Sequence, residues 1–152
     1  HQTIAQKGFF VQGSRVLLAE KLTNKALNDK ITSFYFWQKN LKNRLNAVHI
    51  PFFTKILAKK KNHWQGIRGC NMAFWREDVI KVNGFNEAFV GWGREDSEFV
   101  VRLFNAGILR KNLKFGCIGY HLYHTENSRQ MLPKNDKILE EVIENKIGFC
   151  KK

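Results

Sequence analysis

Carboxylates are scarce in this chain: 13 Asp and Glu stand against 26 Lys and Arg, a formal charge of +13. Such a balance attracts anions, whether nucleic acid, phospholipid headgroups, nucleotide-sugars or acidic glycans, without choosing among them. Cysteine is scarce too. Cys70, Cys117 and Cys150 are an odd number at wide spacing, and no C-x-x-C occurs. That excludes a zinc ribbon and a disulfide framework, and a reducing, cytoplasmic setting is expected. No apolar run reaches the roughly 18 residues of a membrane-spanning helix, and no secretory signal is visible. Internal repeats and low-complexity tracts are absent. With 152 residues, 43% of them hydrophobic, the chain can fill the core of one domain. It begins at His1 rather than at a methionine, which leads us to expect a piece of a larger functional unit.

Periodicity predicts a mixture of short elements. Residues 8–18, GFFVQGSRVLL, read as two extended pieces around Gly13, and residues 19–30 have helical spacing through Leu22, Ala26 and Leu27. Residues 31–66 interleave aromatics with lysines, and we expect two amphipathic helices there with Pro51 between them. Such a stretch is either a solvated basic face or a surface for an anionic membrane or an acidic glycan. Residues 67–75 predict a buried strand, 76–83 a short helix stopped by Gly84, and 113–124 a further strand. Residues 135–147 predict a closing helix with Ile138, Val142 and Ile143 facing inward. Between them a helix is expected from about Glu95 to Asn105, ended by Gly107, with Phe99, Val100, Leu103 and Phe104 on its apolar face. Strands and helices mix without a clean βαβ rhythm, so the class is α/β with α+β character.

The acids that do occur are concentrated where that helix starts, in GWGREDSE, residues 91–98. Free N–H groups and the helix dipole stabilise Glu95 and Asp96 there, which is reason enough for acids at a helix start whatever the function. Glu98 is spaced to pair with Arg102. Trp92, between Gly91 and Gly93, adds a second possibility. An indole covers the C–H face of a sugar while neighbouring carboxylates accept its hydroxyl protons. His121 and His124 form an H-x-x-H at the end of a predicted strand. Both can reach one metal ion only if the backbone turns after His121.

The run from Gly69 to Phe74, then Asn83-Gly84-Phe85, Trp92-Gly93-Arg94-Glu95-Asp96 and Arg102-Leu103 closely resembles galactosyltransferase-like enzymes of the GT-A fold. These are the family 2 and family 7 type, with animal β-1,4-galactosyltransferases and bacterial chondroitin polymerases among them. The resemblance continues for about 55 residues to His124, and residues 8–18 look like the segment after the family's metal-binding D-x-D. It implies the C-terminal, acceptor-side half of a GT-A nucleotide-diphospho-sugar transferase domain, spanning residues 1–152. No D-x-D occurs in this sequence, so the nucleotide-binding half is expected elsewhere, and residues 1–152 alone are expected to be inactive.

The implied reaction is inverting transfer of a hexose or N-acetylhexosamine, galactose or GalNAc favoured, from a UDP-sugar to a glycan or lipid-linked glycan. Surface polysaccharide or lipo-oligosaccharide synthesis is the setting this suggests. By this resemblance Asp96 is the general base, Glu95 binds sugar hydroxyls and Trp92 stacks on sugar in the loop of Gly93. A divalent metal, Mn2+ or Mg2+, is implied, with His124 or His121 as the C-terminal ligand; the two alignments leave both open. Arg15 would point at a phosphate or sugar or simply lie on the surface, and Asn71 would bond a sugar or serve as a structural amide. Arg94 is a candidate for an acidic acceptor and Arg129 for a diphosphate. A peripheral position on the inner membrane face, and dimers formed through apolar surface, are further expectations.

Two other classes compete. A nucleic-acid-binding module would suit the charge and the aromatics Phe34, Tyr35, Phe36 and Trp37, but no RRM, KH, zinc-finger or helix-turn-helix signature is present, and no nucleic acid partner is expected. A non-catalytic carbohydrate-binding module would keep Trp92 and Glu95 and have no need of Asp96 or the histidines.

Overall fold

The structure is a computed structural model and describes residues 1–151. Two small mixed sheets share two long chain segments. In the first, β1 (Phe9–Gln12) lies parallel to β6 (Leu109–Asn112); β5 (Met72–Ala73) adds antiparallel to β1, and β4 (Lys59–Lys61) adds antiparallel to β6. In the second, β2 (Ser14–Leu18) lies parallel to β7 (Ile118–His121), with β3 (Leu41–Lys42) antiparallel on its other side. The chain passes from the first sheet to the second at Gly13, as the expected break there requires. A side chain at Gly13 would meet the Cys117 carbonyl oxygen at 2.2 Å and the Asn71 amide at 2.5 Å, so only glycine fits. The partner segment makes the same passage through residues 113–117, where Phe115 and Cys117 take left-handed φ values of 63° and 50°.

Helices α1 (Glu20–Asn28), α2 (Pro51–Ile56), α3 (Arg76–Lys81), α4 (Glu95–Asn105) and α5 (Leu132–Glu144) complete the chain. The main core joins Phe10 of β1 to Phe99, Val100 and Leu103 of α4, with Val82 and Ile108. A second cluster packs Leu22 and Ala26 of α1 on Leu18 and Phe34. A third sets Val101 of α4 on Leu139 and Val142 of α5. Helix α4 therefore has apolar contacts on two sides, which fixes its start relative to the sheets. The mixed α/β class is as expected.

Several expectations are corrected. Residues 31–66 do not form two amphipathic helices. Asn40 and Asn43 adopt left-handed φ values of 67° and 56°, a conformation no α-helix continues through. Only the six residues of α2 are α-helical, and Pro51 opens that helix rather than dividing two, because its missing N–H is no loss in a first turn. The strand expected over 67–75 shrinks to Met72–Ala73 behind a 3-10 turn at Gly69–Asn71. The strand expected over 113–124 is confined to Ile118–His121, and β6 precedes it. In α5, Leu139 and Val142 are buried while Ile143 is exposed.

Candidate active site at the start of helix α4

Three acids open α4, and they have different fates. Glu98 is 1% exposed and Arg102 is 0% exposed. Arg102 Nε donates to Glu98 Oε1 at 2.8 Å and its Nη2 to Glu98 Oε2 at 2.9 Å, the expected pair. The same guanidinium donates to the carbonyls of Val82 at 2.5 Å and Gly84 at 2.8 Å. Asn86 also donates to Glu98. This ion pair is consumed in clasping the turn after α3 to α4.

Glu95 and Asp96 instead face a cleft of about 480 Å³ shared with Trp92, Arg15, Arg68 and Arg129. The backbone N–H of Gly69 donates to Asp96 Oδ2 at 2.7 Å. A Cβ on Gly69 would lie 2.1 Å from Asp96 Oδ1, so the close approach requires glycine. Burial pushes the Asp96 carboxyl above the ordinary value of 3.8. The Gly69 N–H opposes that shift, neighbouring Glu95 adds to it, and the Arg15 cation pulls it back. The helix start is expected to stabilise this charge; burial acts in the opposite direction and is the largest influence on it. Glu95 Oε2 is buried without a hydrogen-bond partner, an acceptor aimed at no protein donor.

The loop before α4 is held from behind. Asn135 of α5 is 0% exposed, and its Nδ2 donates to the Gly93 carbonyl at 2.9 Å and the Val90 carbonyl at 3.2 Å. Gly93 has φ +108° and Arg94 φ 78°. The strained arginine is anchored by donating from Nε to Asp136 Oδ1 at 2.5 Å. These contacts leave the Trp92 ring 40% exposed, with the Arg129 guanidinium 4.8 Å above it. Sequence reasoning missed Asn135 and Asp136. A polar pair near a helix start reads as surface, and only the packing of α5 on α4 turns it inward.

The histidines come together. The backbone leaves β7 at His121, and the two Nε2 atoms lie 3.1 Å apart. The Thr125 carbonyl can only accept, so His124 Nδ1, 2.9 Å from it, carries the hydrogen. That leaves His124 Nε2 as a lone pair facing its neighbour. Burial, Arg15 and His124 all lower the His121 pKa, keeping it neutral and able to donate electrons to an ion. Adjacent imidazole ligands of one ion stand roughly 3.0–3.4 Å apart, so the spacing fits two of its ligands. Among the described residues no group of three or more His, Cys, Asp or Glu is placed to hold a metal. The histidines do not line the Trp92 cleft. Arg15 links the two places, since its charge acts on both Asp96 and His121. Its Nε is buried and unpartnered.

Asn71 is not brought to the cleft. Its Nδ2 donates to the carbonyls of Ser14 at 2.8 Å and Cys117 at 2.6 Å, and its Oδ1 lies 2.9 Å from His1 Nε2. Those bonds tie together the two points where the chain changes sheets.

Two comparisons with known proteins give matches. A family model described as the N-terminal domain of galactosyltransferase matches residues 52–125, which include Asp96, Trp92 and both histidines. That description speaks of an N-terminal domain, whereas the sequence resemblance is to a C-terminal half. A chondroitin synthase from Escherichia coli is 36% identical over 53 residues, covering 35% of this chain and 8% of that protein. The chain therefore spans less than a tenth of the length of the curated relative it matches. Residues 52–125 are thus similar to a galactosyltransferase domain, and a 53-residue stretch of the chain is similar to part of a chondroitin synthase.

Proposed function

We propose that this chain supplies the acceptor side of an inverting glycosyltransferase, with Asp96 as the general base. The observation that carries this reading is the cleft in which the desolvated Asp96 carboxylate, the unpartnered Glu95 oxygen and the exposed Trp92 ring converge. An acceptor sugar packs its C–H face on Trp92 as Arg129 swings aside, and Glu95 takes a hydroxyl hydrogen bond. Asp96 then accepts the proton of the attacking hydroxyl as its oxygen bonds to the anomeric carbon of the donor. The bond from that carbon to the nucleotide diphosphate breaks on the opposite face, which inverts the configuration. A raised pKa makes Asp96 a stronger base than an exposed aspartate.

The donor in this proposal is a UDP-sugar, with galactose or GalNAc favoured, and the acceptor is a growing surface glycan or a lipid-linked one. A bound divalent ion, Mn2+ or Mg2+, would offset charge on the departing diphosphate; His121 and His124 would be two of its ligands. In this reading a nucleotide-binding half and the remaining ligands of the ion would come from outside these residues. Residues 30–76 contain ten Lys and Arg and no carboxylate, and Tyr35, Trp37, Phe52 and Ile56 are exposed among them. Such a segment suits the anionic inner surface of a membrane, where the acceptor would be presented. No helix of the described residues is long and apolar enough to cross one.

The test is transfer from UDP-galactose and UDP-GalNAc by the full-length protein and its Asp96→Asn variant. Turnover should fall by about 10²–10⁴ in the variant with acceptor KM nearly kept. A binding module would instead show no transfer by the wild type and weaker sugar binding by the variant.

A further inference from the structure

A cavity larger than the Trp92 cleft, about 610 Å³, opens between residues 33–37 and residues 47–50, over a floor of Phe34, Ile118 and Tyr120. That volume is usual for a ligand site. The cavity shares no lining residue with the cleft. Side chains alternate along a strand, so with Ile118 and Tyr120 of β7 in the floor, Gly119 and His121 face the other way. The parallel register sets Arg15 beside Gly119. The cavity therefore lies behind the second sheet, on the face away from Arg15 and His121. Its floor is apolar even at Tyr120, whose hydroxyl donates to the Phe34 carbonyl at 3.1 Å and whose ring meets the Phe34 ring edge-on at 4.8 Å. Ser33 and His49 are the other polar side chains on the lining, too few for the several hydroxyls of a sugar. The outer wall is an aromatic stack. Tyr35 and Trp37 lie with ring centroids 4.8 Å apart and planes 10° apart, and Phe36 meets Trp37 edge-on. Tyr35 is 66% exposed and Trp37 64%, so ordered apolar surface stands in water around an apolar hollow.

Charge says what covers it. Residues 30–55, which form both walls, carry Lys30, Lys39, Lys42, Arg44 and Lys55, all exposed, and no carboxylate. Arg44 and Ala47 are three apart in one 3-10 turn, so Arg44 lies over the Ala47 that lines the cavity. Beyond Ile50 the apolar surface continues on α2, where Phe52 and Ile56 are exposed. The occupant must join a long apolar part to an anionic head. We infer that the cavity holds one acyl chain of an anionic phospholipid, drawn from the membrane on which the protein sits. The chain covers the aromatic wall while the surrounding cations meet the phosphate. Tyr35 and Trp37, apolar in body and polar at the tip, suit the boundary between head groups and acyl chains. The inference deepens the membrane contact of the proposed function and uses none of its transfer chemistry: a saturable site for one lipid takes the place of a general attraction to charge.

The test is binding of the full-length protein to vesicles of phosphatidylglycerol mixed with phosphatidylcholine, to vesicles of phosphatidylcholine alone, and to monomeric lysophosphatidylglycerol. Wild type should bind the mixed vesicles and the monomer saturably and the phosphatidylcholine vesicles weakly. Trp37→Ala, which removes a wall, and Val48→Trp, which fills the cavity, should each weaken binding of the mixed vesicles and the monomer by about tenfold. Lipid brominated along its acyl chain should quench the tryptophan fluorescence of wild type more than that of Trp37→Phe. Trp37 is exposed, so its variants keep the test decisive if Val48→Trp does not fold. Vesicle binding that neither Trp37→Ala nor Val48→Trp weakens and that rising salt abolishes, with no uptake of the monomer, would overturn the site and leave charge alone. Self-association of lipid-free protein that Trp37→Ala abolishes would overturn it too, because the surface would then belong to a second copy. So would tighter binding of an acidic, aromatic peptide than of the lipid monomer, lost in Trp37→Ala. Turnover of Asp96→Asn is a separate readout, so failure of the transferase reading is told apart from failure of this one.

Discussion

Two ends of one short helical stretch show how the same residue type serves opposite purposes. At Glu98 every electrostatic need is met inside the protein: a buried arginine, two bonds to it and an amide beyond. Two and three residues earlier, Asp96 has a single backbone donor and Glu95 has an oxygen with none. A satisfied buried ion pair specifies how α3 and α4 meet. An under-satisfied carboxylate in an open cleft is stabilised by nothing that it would have to give up on meeting a substrate. The contrast between these neighbours, rather than the mere presence of acids at a helix start, marks the cleft as a place for chemistry.

Breaking the contrast from each side should give different losses. Asp96→Asn should remove about 10²–10⁴ of turnover in the full-length protein and leave its fold intact by circular dichroism. Arg102→Ala should do the reverse. It strands Glu98 as a buried unpaired charge, at a cost of about 3–5 kcal/mol, read as a lowered denaturation midpoint, with activity falling only as folded protein is lost. Asn135→Ala sits between the two. It leaves the Val90 and Gly93 carbonyls without their donor, costing about 1–3 kcal/mol, and by loosening the Trp92 loop it should also raise acceptor KM.

The smallest effect is in pH. Asp96 holds its proton more tightly folded than unfolded, so its contribution to stability falls as pH rises from 3.8 through its raised folded value. Asparagine keeps an oxygen for the Gly69 N–H and carries no charge to desolvate. Asp96→Asn should therefore melt slightly higher than wild type at pH 7, and the two should converge below pH 3.8. A variant that melts lower at pH 7 would show that Asp96 is held by contacts more favourable than burial is costly.

Much of α4 was legible in the sequence because its signals are local. Glu95 to Asn105 carries acids at its start, an i,i+4 ion pair and Gly107 at its end, and the structure has these bounds. The break at Gly13 was legible for the same reason. Strand β6 was not: its sequence, LRKN, has no apolar alternation. Arg110 is buried there because Gln12 and the carbonyls of His63 and Gln65 accept its hydrogens. Helix α5 begins at Leu132, ahead of the expected residue 135, because a first helical turn accommodates Pro133. The 31–66 region misled through composition. Its aromatics and lysines have helical spacing, but left-handed asparagines at 40 and 43 divide it into turns. In the site, the convergence of His121 and His124 depended on a backbone turn that no residue spacing specifies. The linking position of Arg15 came from the sheet register that sets β2 beside β7.

The central claim is that Asp96 is the carboxylate left free to remove a proton, and the most direct measurement is the pH dependence of kcat/KM for acceptor in the full-length protein, beside that of Asp96→Asn. We predict a rising acidic limb in the wild type, with its midpoint above the ordinary aspartate value of 3.8, and residual activity without that limb in the variant. The same limb at the same pH in Asp96→Asn would contradict the account, because the titrating base would then be another group.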